Sequence, residues 1–156
     1  MRLKALTFDG YQSGQTDFGT LLAATPQADL NGLIFAIDTI ARQITDPVPN
    51  LFLSLIVVGH SDRQDRGDLS CDERRASEAS AAEARATSAW EWIKQEVAAA
   101  TARTGLDAGT WWEDSTHVTW GLVFAGAGML RHNPPSEEER PLNRRVVILL
   151  SIFSPE

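Results

Sequence analysis

The 156-residue chain has one cysteine, Cys71, one tyrosine, and no long hydrophobic run. A lone cysteine excludes an internal disulfide and leaves the redox compartment undecided. No segment approaches the ~18 consecutive apolar residues of a spanning helix, so membrane insertion is not expected. Residues 1–9 are basic but reach Asp9 before an apolar stretch forms, which does not read as a secretory signal. Cations are scarce and scattered: 14 Lys and Arg stand against 21 Asp and Glu, a net charge of -7. That balance excludes nucleic acid, which is held mainly by Lys and Arg on phosphate. It also excludes a basic patch for an anionic membrane surface. His60, His117, His132 and Cys71 lack metal-ligand spacing, so neither a metal nor another cofactor is expected. There is no Gly-Lys-Ser/Thr phosphate loop. Phe8-Asp9-Gly10 is similar to phosphatase openings but lacks the second Asp that would protonate a leaving group. With no nucleophile–base pair in the pattern, the chain reads as a binding protein and not an enzyme.

At 43% hydrophobic and 22% charged, the composition is that of an ordinary globular domain, one unit over 1–156 with a core at about 3–153. Residues 3–8 read as a strand and 9–28, rich in Gly, Ser, Thr and Gln, as loop. Leu30, Leu33, Ile34, Ile37, Ile40, Ala41 and Ile44 make one stripe at helical spacing, stopped by Pro47 and Pro49. Residues 51–58 are apolar enough for a strand buried on both faces. A second helix has two capping-box starts, Ser70…Glu73 and Ser80…Glu83, and a stripe of Ala82, Ala86, Ala89, Trp90, Ile93 and Val97. Residues 111–114 read as loop or a short edge piece, with Trp111-Trp112 a candidate contact surface. Strands follow at 118–124 and 145–153, separated by an acidic loop with one helical turn. The order strand, helix, strand, helix, strand, loop, strand predicts an α/β (α+β) two-layer sandwich. Its mixed sheet would be covered by helices on one face, with some parallel pairing.

The polar residues with the most to say sit at strand ends and on the second helix. Asp62 ends Gly59-His60-Ser61-Asp62, which follows a buried strand. Its carboxylate either stabilises the turn or meets a ligand ammonium. Arg85 lies on the Ala-rich helix, either solvated beside Glu78 or Glu83, or gripping a carboxylate through its planar fork. Asn143-Arg144-Arg145 opens the last strand, where alternation sends the two arginines to opposite faces.

A strand ending in Gly59-His60-Ser61-Asp62, a helix carrying Arg85-Ala86, then Gly126-Ala127-Gly128, an acidic loop and Asn143-Arg144-Arg145-Val146 together resemble the OmpA-like peptidoglycan-binding domain family. The resemblance implies the βαβαβ-β fold and a site for the diaminopimelate of the peptidoglycan stem peptide, whose side-chain end carries both an ammonium and a carboxylate. On this chain it assigns Asp62, with Ser61 before it, and Arg85 to the ligand, and it adds Asn143, Arg144 and Arg145. Arg75-Ala76, after Leu69-Ser70, is the alternative to Arg85. Bulky apolar residues follow Arg85 at helical spacing and do not follow Arg75. The resemblance also implies a periplasmic or cell-envelope location, whereas the reading of residues 1–9 leaves a cytoplasmic or assembly-delivered protein open. A second class therefore stays open: a structural or interaction module of a phage particle or envelope-spanning machine. The sequence leaves homodimer and larger assembly equally open.

Overall fold

A computed structural model describes residues 2–128 and 130–154. The elements run β1 (Arg2–Asp9), α1 (Phe18–Ala23), α2 (Gln27–Thr45), β2 (Phe52–His60), α3 (Cys71–Ala102), α4 (Trp111–Asp114), β3 (Val118–Phe124), α5 (Arg140–Asn143) and β4 (Arg145–Phe153). The sheet order is β1-β4-β2-β3. β4 pairs antiparallel with both β1 and β2, and β2 pairs parallel with β3. This is the two-layer, mixed-sheet arrangement that the OmpA-like resemblance implies.

Alternation decides which residues form the core. Leu53, Leu55 and Val57 of β2 point to the helices with Val146, Ile148 and Leu150 of β4, and all six are buried. Phe52, Ser54, Ile56 and Val58 face the other way and are only half-buried, so β2 is not buried on both faces as its composition suggested. Across from the sheet, α3 contributes Ala82, Ala86, Ala89, Trp90, Ile93 and Val97, the whole expected stripe, all buried. On α2, Leu33, Ile37, Ile40 and Ala41 are buried as expected, but Ile34 is exposed and Ala36 takes an inward position.

The close approach of α3 to β2 has a specific cause. A Cβ on Gly59 would run into the Ala82 carbonyl oxygen and crowd Ala86 Cβ. Only glycine on the strand and alanine on the helix let the two backbones come this near.

Two local expectations change and one open alternative is resolved. Residues 9–28 are not all loop: Asp17 accepts from Thr20 N at 2.6 Å and caps α1, whose Phe18, Leu21 and Leu22 are buried. Residues 111–114 form the short helix α4, and Trp111 is buried edge-on to Trp90. Trp112 has Lys94 over its ring, so the pair is no free stacking surface. Of the two possible starts of the second helix, Ser70 is the one used, with the capping box to Glu73 complete.

Ser70→Ala is expected to cost the first turns of α3 about 1 kcal/mol. Amide exchange over residues 74–79 should then quicken about fivefold, and unchanged exchange would show that the cap does not hold this end. No helix among the described residues is long and apolar enough to cross a membrane.

Candidate ligand-binding site

At the C-terminal end of β2 the chain leaves the sheet beside β3. Ser61 N donates to Gly126 O and Ala125 N to Gly59 O, both at 2.9 Å, so the small residues after β3 fix the exit path. The next side chain, Asp62, is buried. Helix α3, seated on Gly59, brings Arg85 over the same end of the sheet. Arg85 lies on the inward stripe, three residues after Ala82, and is 3% exposed.

Arg85 Nε donates to Gln15 O at 3.1 Å and Nη1 to His60 O at 2.9 Å. Its guanidinium stands 5.1 Å from the ring centroid of Tyr11, a fully buried residue of the loop after β1. It forms no ion pair, and its remaining N–H groups have no partner among the described residues. Burial pulls its pKa down to about 10, which still leaves it charged at neutral pH.

Asp62, by contrast, is surrounded. Its Oδ2 takes Arg140 Nη1 at 2.8 Å and lies 3.5 Å from Arg144 Nη2, while Oδ1 accepts from Asn143 Nδ2 at 3.0 Å. Arg140 also binds Asp65 at 2.6 Å and Glu137 at 2.9 Å, and these carboxylates hold its pKa above the ordinary arginine value. Asn143 is a tie more than a contact. Its Oδ1 accepts from Arg131 N and His132 N, and its Nδ2 reaches His132 O as well as Asp62. Every hydrogen-bonding position on this buried amide is used.

Ser61, Asp62, Ser80, Arg85, Arg140 and Arg144 line one cleft of about 490 Å³. Ser61 Oγ is buried with no hydrogen-bond partner among the described residues. A polar atom left unpaired in this way is costly unless something fills the cleft. The cleft thus joins fixed positive charge from Arg85, Arg140 and Arg144 to the carboxylates of Asp62 and Glu78, with serines between the extremes of polarity. Such a mixture suits a small ligand carrying both signs of charge.

Of the residues singled out in the sequence, Ser61, Asp62, Arg85 and Arg144 share this cleft. Asn143 supports it from behind. Arg145 is buried opposite His60 across the β2–β4 pairing, and its Nη1 donates to Asn143 O at 3.1 Å. Arg75 is exposed and lines a neighbouring cleft instead.

Sequence reasoning missed Tyr11 and Arg140. Arg140 did leave a signal, as the cation ending the acidic run Glu137-Glu138-Glu139. Tyr11, the single tyrosine, sat in a segment read as plain loop.

No family model and no curated protein sequence matches this chain. Among solved structures, similarity is found to the cell wall anchor of the T6SS from Pseudomonas aeruginosa, at 17% identity and a TM-score of 0.43, covering 98% of this chain and 82% of that one. A MotB-like protein from Desulfovibrio vulgaris is similar at 15% identity and a TM-score of 0.43, covering 96% and 75%. The periplasmic domain of Helicobacter pylori MotB is similar at 18% identity and a TM-score of 0.36, covering 96% and 81%. At these values the likeness carries no argument about what the cleft binds.

Proposed function

We propose that this chain is a non-catalytic peptidoglycan-binding domain that holds the diaminopimelate residue of the stem peptide in the cleft between β2 and α3, and so tethers whatever carries it to the cell wall. The observation that carries this reading is Arg85: a buried guanidinium, hydrogen-bonded to no carboxylate among the described residues, on the wall of an open cleft. Burying a charge is expensive; Asp62 offsets that cost only through space, and a ligand carboxylate gripped by the planar fork would supply a hydrogen-bonded partner. Asp62 and Glu78, which line the same cleft, offer the anionic end for the ligand ammonium. Ser61 Oγ is free to bond either group. The OmpA-like resemblance in the sequence points to the same ligand and to the cell envelope.

The contact is small and largely electrostatic, so the affinity expected is on the order of micromolar to millimolar. Thermal unfolding tests it. At meso-diaminopimelate about ten times its Kd, the midpoint should rise by roughly 3–5 °C, while lysine, lacking the second carboxylate, should do little. Arg85→Lys keeps the charge and loses the fork, so its own midpoint should no longer respond. Equal responses to both amino acids, or none to either, would remove the reading.

One observation favours the second class, a structural module in a phage particle or envelope-spanning machine. Asp62 already holds Arg140, Arg144 and Asn143 and behaves as the centre of an internal network. An absent response to diaminopimelate, with the fold intact, would select it.

A further inference from the structure

A second cleft, of about 640 Å³, adjoins the first and shares Arg63, Gln64 and Glu78 with it. One wall is the start of α3, with Arg74 and Arg75; the other is the loop after β3, with Ala127, Gly128 and Leu130. The charges on these walls do not cancel. Arg63 is paired with Asp65 at 2.6 Å, and Asp65 is further held by Arg140. Glu78 Oε1 accepts Gln64 N at 2.7 Å. Arg74 has only a 3.5 Å contact from Nη2 to Cys71 Sγ, and neither Arg74 nor Arg75 has a carboxylate partner among the described residues.

Two adjacent guanidiniums without a carboxylate partner among the described residues, in a chain of net charge -7, therefore line a cleft that shares three lining residues with the first. The capping box already uses the Ser70 and Glu73 N–H groups at the start of the helix, and the arginine side chains are the charged donors on this wall.

We infer that this second cleft is a subsite for a carboxylate on the residue flanking diaminopimelate in the stem peptide, received by Arg74 and Arg75. The inference rests on the diaminopimelate reading of the first cleft. Two stem carboxylates share this chemistry: the α-carboxylate of the γ-linked D-glutamate before diaminopimelate, and the terminal carboxylate of the D-alanine after it. Either lies one residue from the anchoring group, within reach of an adjoining cleft.

Titration calorimetry on the full chain separates the sources. The probes are L-Ala-γ-D-Glu-meso-diaminopimelate and its D-isoglutamine counterpart, then the D-alanine-extended tetrapeptide as acid and as C-terminal amide. One acid is expected to bind about tenfold tighter than its own amide, which identifies the carboxylate received. That gain should vanish in Arg74→Gln/Arg75→Gln, while the amide's affinity stays unchanged. Both residues are exposed or half-exposed, so the variant should fold. Equal binding of acid and amide in both pairs overturns the subsite, as does a gain that survives in the variant. If no peptide binds even the unaltered chain, the reading of the first cleft falls, and the subsite with it.

Discussion

Gly59→Ala should lower stability by about 3 kcal/mol, dropping the unfolding midpoint by roughly 10 °C. The added methyl meets the Ala82 carbonyl oxygen and Ala86 Cβ. Backbone cannot swing aside as a flexible side-chain tip can, so α3 must lift from β2. That lift separates contacts along the whole Ala82–Val97 stripe, all of it buried. It also carries Arg85 away from His60 O, its 2.9 Å partner at the end of the sheet. The variant should therefore lose ligand response as well as stability. An unchanged midpoint in calorimetry would mean that the layers have slack at this point, and that the small-residue contact does not fix the site.

Acidification should act through His60 before it acts through any carboxylate. The imidazole is 3% exposed, its Nδ1 has no hydrogen-bond partner among the described residues, and Arg145 and Arg131 lie near it. Burial first, then these cations, push its pKa down from 6.5 to about 4. The folded protein holds the ring neutral where the unfolded chain would protonate it. Stability is therefore full above pH 6.5 and falls as the pH drops towards 4, because the unfolded state then binds the extra proton. The loss amounts to about 3 kcal/mol.

Several carboxylates have lowered values, among them Asp65, held by Arg140 and Arg63, and Glu139, held by the Ser136 backbone and hydroxyl. Their contribution is lost only below their unfolded values of about 4. The slope between pH 6.5 and 4.5 therefore belongs to His60. His60→Gln should flatten it in urea titrations taken across that range. A slope that persists in the variant would assign it elsewhere.

How much of this could be read in advance depended on whether the signal was local. Strands 118–124 and 145–153 emerged at their observed bounds because apolar runs between turn residues are local. The α3 stripe emerged for the same reason, and it places Arg85 on the face that packs on the sheet while Arg75 is exposed. Helix α1 was missed because six residues make under two turns, too few for a period to show, although Asp17 gave a usable cap. The half-exposed outer face of β2 was missed because composition does not say which layers exist.

The network on Asp62 was the least legible part. Arg140 lies 78 positions away in sequence, and only the return of β4 beside β2 brings it within 2.8 Å. Asn143 was singled out by pattern, but its role as a tie between Asp62 and the 131–132 backbone follows from the closure of that loop.

The first buried residue of α3 is Ala82, although the helix begins at Cys71. The stretch before it, roughly 16 Å of rod, adds no buried residue to the core. It is held by a cap, by Glu78 on Gln64, and by the approach of Gly126 to the Ala79 backbone. Its stability is therefore local, and it can open at a lower cost than the rest of the helix. The two clefts inherit that division. The wall carrying Arg85 is clamped between layers and keeps a fixed geometry, while the wall carrying Arg74 and Arg75 is compliant. A stem peptide would meet a rigid jaw at the residue that defines it, and a yielding one where neighbouring residues vary.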